Sequence, residues 1–344
     1  MTLSTSPSNA GDAPVADTRE PFRAALRAAV ESLPESIRHI AGYHFGWWDP
    51  HGRPECADGG KALRPTLVLL AGKAVGAEIS QTMPAAVAVE LVHNFSLLHD
   101  DVMDRDTTRR HRATAWHQFG IGPAILAGDA LVTLGFAGLA ATGGRNADAA
   151  TRVLSAAVLS LVEGQTADMA FEQRSDVSVE ECVSMVDRKT GALFGCSGAL
   201  GALAGAAGPG AIAGLQGFGN ALGRAFQHAD DLLGIWGDPA VTGKPAHSDL
   251  RNRKKSLPVV WALRSATPEA KALAEMYSRA EELSDADLVH AAELVESAGG
   301  RDWSRSQIDR LLASAMLALS GVRGEATAVA ELANLAASAT RRDS

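Results

Sequence analysis

Apolar residues recur along this chain at helical spacing. Between Glu20 and His39 they fall at Phe22, Leu26, Val30 and Leu33, which predicts a helix over 20–39. The same period predicts helices over 61–75, 84–104, 122–143, 147–172, 179–206, 211–236 and 256–264, with shorter ones towards the C-terminus. Pro65 falls in the first turn of its segment, where a missing N–H is tolerated. Residues 42–60, with Trp47, Trp48 and Pro50, read as a loop, and no region sustains a period of two. The pattern therefore predicts an all-α fold, a single large helical bundle around a central cavity. Residues 1–19 are rich in Ser, Pro, Ala, Gly and Asp and read as a disordered tail. Residues 20–335 read as one helical domain and 336–344 as a C-terminal tail. The N-terminus has neither a basic start nor an apolar segment, so no signal peptide is expected. No stretch gives the roughly 20 uninterrupted apolar residues of a membrane span. The Ala/Gly-rich run 192–207 comes nearest, and its glycines predict a packed interior helix.

Composition narrows the class. Of 344 residues, 46% are hydrophobic and 21% charged, as in ordinary globular proteins. A net charge of −8 argues against a nucleic-acid partner. Cys56, Cys182 and Cys196 are scattered, the pattern of free thiols in a cytoplasmic protein.

The most informative stretch is Leu97-Leu98-His99-Asp100-Asp101-Val102-Met103-Asp104. On a helix Asp100 and Asp104 stack one above the other, with Asp101 beside them. Three like charges on one turn repel, and a hard divalent cation removes the repulsion. Mg²⁺ takes oxygen ligands and is often held by a few carboxylates plus substrate phosphates. Arg109 and Arg110 follow, and guanidinium suits phosphate oxygens. A second cluster repeats the theme: Asp230 and Asp231 after an apolar approach, then Asp238, with Lys244, Lys254 and Lys255 beyond. Two such clusters suggest two helices facing each other across a cleft, holding metal ions and a diphosphate. Lys61 and Arg64 lie three apart at a helix start, where anions are favoured. Lys189 leads into an apolar helix, and a buried Lys needs an anionic partner.

From Gly59-Gly60-Lys61-Ala62-Leu63-Arg64-Pro65 to Lys254-Lys255-Ser256-Leu257-Pro258, these motifs occur in the order and spacing of one family. The chain resembles the trans-isoprenyl diphosphate synthases, the polyprenyl synthetase family. The resemblance implies an Mg²⁺-dependent prenyltransferase that condenses isopentenyl diphosphate with an allylic diphosphate (dimethylallyl, geranyl or farnesyl). It implies three Mg²⁺ ions with substrate bound and a homodimer. By position it assigns Lys61, Arg64, His93 and Arg110 to isopentenyl diphosphate. Arg109, Lys189, Lys244 and Lys254 go to the allylic diphosphate, with Thr190 and Gln227 near the developing cation. Asp100, Asp101, Asp104, Asp230, Asp231 and Asp238 are the expected metal ligands, and the catalytic set is Asp100, Asp101, Asp104, Lys189 and Asp230. Gly128-Asp129 and Gly164-Gln165 match positions read as structural.

Three departures stand out. Ala62 replaces a basic residue, and His111-Arg112-Ala113-Thr114 replaces Gly-x-Pro-Thr. At the fifth place of the second acidic motif stands Gly234 instead of Asp, so one carboxylate is lost or is replaced by Asp238. Product length is expected to depend on Phe95 and Ser96, ahead of Asp100. One bulky ring there, and no insertion in the first motif, resembles enzymes making C20 geranylgeranyl diphosphate, with C15 farnesyl diphosphate next and geranyl diphosphate a further alternative. A class I terpene cyclase shares the metal chemistry but has no use for Lys61, Arg64, His93 and Arg110. A catalytically weak partner subunit is the third reading, kept open by Gly234.

Overall fold

A computed structural model describes residues 13–341, apart from 56, 58–59 and 240–245. Lys244 and Cys56 therefore lie outside the described residues. The architecture is all-α. In chain order the first helices are α1 (Ala13–Glu31), α2 (Glu35–His44), α3 (Leu63–Ala74), α4 (Ile79–Met103), α5 (Ala115–Phe119), α6 (Ile121–Ala140) and α7 (Gly144–Glu172). Then come α8 (Val179–Val186), a π-helical turn (Asp187–Gly191), α9 (Ala192–Ala204) and α10 (Pro209–Trp236). Helices Ser248–Arg251, Leu257–Arg264, Pro268–Ser278, Asp285–Ser297, Gly300–Ser320 and Ala326–Thr340 follow.

The boundaries differ from the periodicity at places with a local cause. The first predicted helix is two, because Pro34 disfavours helical backbone at Leu33 and caps α2 instead. The α1 helix starts at Ala13, inside the expected tail. The α4 helix starts at Ile79 through a reciprocal cap between Glu78 and Gln81, ahead of Pro84. Lys61 stands just before α3, because Ala62 takes a left-handed conformation (φ 46°) as its cap. A two-residue hairpin, Thr108–Arg109 with Arg112–Ala113, follows α4, and its turn residues Arg110 and His111 both have positive φ. At the other end, Ala336 and Ala339 are buried in a helix that runs on to Thr340.

The core is built around α9, which the sequence predicted as interior. Every residue from Leu193 to Ala202 is buried. Its glycines let neighbours approach to backbone contact. A Cβ at Gly201 would lie 2.3 Å from Val68 O on α3, and one at Gly198 2.1 Å from Leu215 O on α10. The α4 helix packs along α3, α6 and α9, and α10 packs along α9 and helix Gly300–Ser320. The acidic ends of α4 and α10 are thereby fixed by a stiff, glycine-lined middle layer. The α6 helix runs against expectation: its 20 residues, mean hydropathy 1.6, are long and apolar enough to cross a membrane by length and composition alone. It packs on α2 and α4, and it leaves Ile121 (54% exposed) and Leu126 (57%) uncovered.

Candidate active site

The end of α4 separates its three aspartates by role. Asp100 and Asp104 share one face; Asp101 sits roughly 100° round the helix. Among the described residues, the Asp100 and Asp104 carboxylates make no hydrogen bond or ion pair. Burial pushes the Asp100 carboxyl up, and Lys189 opposes this. Asp101 is 1% exposed and turns towards the hairpin. There its Oδ1 takes both Nε and Nη2 of Arg109, each at 2.7 Å. Its Oδ2 is buried with no partner. Burial raises the Asp101 pKa to about 6 against the pull of Arg109. Asp101 thus holds the arginine loop, while Asp100 and Asp104 present free oxygens.

Facing them is Lys189, placed by the π-helical turn. The wider turn interrupts what the sequence predicted as one helix over 179–206. Gly164 on α7 makes room for it: a Cβ there would lie 2.4 Å from the Lys189 N. Lys189 Nζ donates to Asp168 Oδ2 at 2.6 Å. The anionic partner demanded by a buried lysine is therefore Asp168, which the sequence reading missed. Lys189 and Lys254 outweigh burial and hold the Asp168 carboxyl low. A signal existed: Leu154, Ala157, Leu161 and Gln165 form a buried stripe on α7, and Asp168 is its next position. Thr190 Oγ1 donates to Gln227 Oε1 at 2.8 Å, and Gln227 Nε2 donates to Asp231 Oδ1 at 2.8 Å.

That relay gives Asp231 a structural part. Its Oδ2 accepts from the Leu257 N–H at 2.8 Å, so both oxygens are engaged within the protein. Asp231 is 3% exposed, and burial raises its pKa to about 7. It ties α10 to helix Leu257–Arg264 through these two bonds. Asp230 is exposed at the cleft, and its charge reaches both Arg64 and Lys254. Lys254 is half-buried, and the charges of Asp249, Asp231, Asp168 and Asp230 all favour its ammonium form. Asp238 lies exposed beyond the end of α10.

Among the described residues, no group of three or more His, Cys, Asp or Glu side chains is arranged to hold a metal. The donor set still suits Mg²⁺: Asp100, Asp104 and Asp230 offer hard oxygens, and substrate phosphates would complete the shell.

A second cationic cluster sits behind the hairpin. Arg64 Nη1 meets His93 Nε2 at 3.2 Å, and its guanidinium lies over the Phe194 ring at 4.4 Å. Guanidinium has only donors, so His93 Nε2 accepts and the imidazole is neutral. Burial first, then Arg64 and Arg110, hold its pKa well below the usual value. Arg110 reaches this cluster across Gly60, whose Cβ would lie 2.6 Å from Arg110 Nη2. Phe95 packs edge-to-face on His99, ring centroids 4.8 Å apart. Ser96 Oγ turns back to His93 O at 2.8 Å.

The chain is similar to known proteins over most of its length. A family profile described as Polyprenyl synthetase matches residues 53–295. A (2E,6E)-farnesyl diphosphate synthase from Mycobacterium bovis is 45% identical over 83% of this chain and 80% of its own. A geranylgeranyl diphosphate synthase from Mycobacterium tuberculosis is 42% identical over 92% and 91%. The crystal structure of a polyprenyl synthetase from Streptomyces coelicolor A3(2) superposes with a TM-score of 0.90 at 44% identity, covering 94% of this chain and 99% of that one.

The network behind the cationic cluster makes a pH prediction. His44 bonds Asn94 Oδ1 at 3.1 Å, and Asn94 Nδ2 donates to Glu90 Oε1 at 2.9 Å. Burial, reinforced by Arg110 and Arg109, lowers the His44 pKa to about 3. Below about pH 6.5 the unfolded chain takes up a proton that folded His44 refuses. The stability owed to neutral His44 is full above that pH and is lost as pH falls towards the folded value. Wild type should therefore lose roughly 3 kcal/mol more than His44→Gln between pH 7 and pH 4. Urea unfolding at both pH values measures this, and an equal loss in both proteins contradicts it.

Proposed function

The chain belongs to the polyprenyl synthetase family, and we propose that it is a short-chain prenyl diphosphate synthase. It condenses isopentenyl diphosphate with an allylic diphosphate to a product five carbons longer. The observation that carries this reading is the pairing of two distinct sites. One holds the unpaired carboxylates of Asp100 and Asp104 opposite Lys189, Lys254 and Asp230. The other gathers Arg64, His93 and Arg110, and Lys61, just before α3, is assigned to it. A terpene cyclase needs only the first.

The residues divide the work. Lys189 and Lys254 face the leaving diphosphate, with Lys244 and Arg109 assigned to the same group. Positive charge placed in advance where negative charge develops is the largest catalytic term in such a site. Asp100, Asp104 and Asp230 would hold Mg²⁺, which when bound would supply further charge to stabilise the leaving diphosphate. Lys61, Arg64 and Arg110 hold isopentenyl diphosphate so that its double bond faces the allylic C1. Neutral His93 supports the Arg64 guanidinium. Thr190 and Gln227 present oxygen dipoles near the positive charge that forms. A proton is then lost from the condensed chain, with the departed diphosphate as its acceptor.

We propose a cytoplasmic homodimer. The apolar face left by Ile121 and Leu126 on α6, with Leu159 and Val162 exposed on α7, is the surface a second copy would cover. Geranylgeranyl diphosphate is the proposed product and farnesyl diphosphate the alternative. Phe95 and Ser96 are assigned to the path of the growing chain.

Asp100→Ala should lower turnover of isopentenyl plus allylic diphosphate by at least about a thousandfold while leaving helicity unchanged, since it removes charge acting at the leaving group. A radiolabelled condensation assay with circular dichroism checks this, and near wild-type turnover refutes the assignment. Phe95→Ala should lengthen products and Ser96→Phe shorten them, as read by chromatography of the dephosphorylated alcohols. An unchanged distribution in both removes these residues from the path. Light scattering at micromolar concentration should give twice the chain mass; a monomer counts against the α6–α7 interface.

A further inference from the structure

Gly234 occupies the position where the second acidic motif was expected to carry a carboxylate. A Cβ there would lie 2.4 Å from Asp249 Oδ2, 2.5 Å from its Cγ and 2.7 Å from its Oδ1. The space beside this turn of α10 is already filled by a carboxylate from a different helix. The turn that delivers it is fastened. His247 Nδ1 donates to Ile235 O at 2.6 Å, and Ser248 Oγ reaches Gly234 O at 3.5 Å. Both carbonyls belong to the last turn of α10, where helical N–H partners run out.

Asp249 in turn faces Lys254. The Lys254 N–H donates to Asp249 O at 2.8 Å. Asp249 is also the strongest influence keeping the Lys254 ammonium charged, outweighing the opposing effect of burial and ahead of Asp231, Asp168 and Asp230. Lys254 feels both acidic clusters at once, since Asp104 also responds to its charge.

We propose that Gly234 and Asp249 form one positioning device: the bare backbone of Gly234 is the seat of the Asp249 carboxylate, and Asp249 holds Lys254 between the two acidic clusters. The fifth place of the motif is then a vacated seat, and its acidic group arrives from residue 249. The inference rests on reading the cleft as a diphosphate site. It implies that a carboxylate added at 234 harms the site. Gly234→Asp puts a second negative group against the first and should weaken it.

The test is a mutant cycle read by calorimetry with Mg²⁺ and inorganic diphosphate, alongside thermal melting and steady-state kinetics. Asp249→Gly and Gly234→Ala should each weaken diphosphate binding by about tenfold, a size usual for coupled neighbours. In the Asp249→Gly background, Gly234→Ala should add less than about twofold, because the group it strikes is gone. Asp249→Asn keeps the shape and removes the charge. It should lose affinity and raise KM for the allylic substrate without lowering the melting temperature, which a merely structural role would not do. Independent losses that multiply in the double variant overturn the proposal, as does full binding by Asp249→Asn. A wild-type chain that binds no diphosphate overturns both this inference and the reading beneath it, whereas wild-type binding with multiplying losses removes this inference alone.

Discussion

Two acidic clusters can face each other across a cleft only if cations stand between them. Here Lys189 and Lys254 do so, and the surrounding architecture serves their placement. Lys189 is set by a π-helical turn against Gly164 and held by Asp168. Lys254 is kept charged by four carboxylates, Asp249, Asp231, Asp168 and Asp230. Burying an ammonium is costly without such partners, and each lysine has them before any substrate arrives. Asp100 and Asp104 are left with unengaged oxygens. The protein thus separates charges it neutralises internally from charges it leaves facing the cleft.

The same separation explains why neighbouring aspartates differ. Asp100 and Asp101 are adjacent in sequence, yet Asp101 anchors Arg109. Asp230 and Asp231 are adjacent, yet Asp231 is consumed by Gln227 and Leu257. In each pair the outward member faces the cleft and the inward member ties a neighbouring element, hairpin or helix, to a core helix. A doubled aspartate on a helix gives one group to the cleft and one to the scaffold.

The helices and the buried character of α9 were legible because both are written in spacing and in small residues. The acidic motifs, the basic pairs and Lys189 were also visible. What the sequence hid were contacts made across long separations. Asp168 carries no mark except its place on a buried stripe. Asp249 lies in a short helix, Ser248–Arg251, whose position depends on bonds from His247 and Ser248 to the end of α10. Gly234 read as a loss because one-dimensional comparison sees a missing side chain; three dimensions show what stands in its place. The arginine hairpin escaped for a different reason: two residues per strand are too few for any period to register.

The π-helical turn has a consequence for how this protein can change. It holds one more residue than an α-helical turn would, so α8 and α9 are out of phase with each other along a continuous rod. Deleting a single residue between Asp187 and Gly191 would restore an ordinary helix and rotate everything on one side by roughly 100°. Either Lys189 would swing out of the cleft or α9 would turn its glycines away from α3 and α10. Chain length in this segment is therefore constrained as tightly as chemistry. A substitution here alters one side chain, but a one-residue slip uncouples the reactive end of the rod from the end that holds the molecule together.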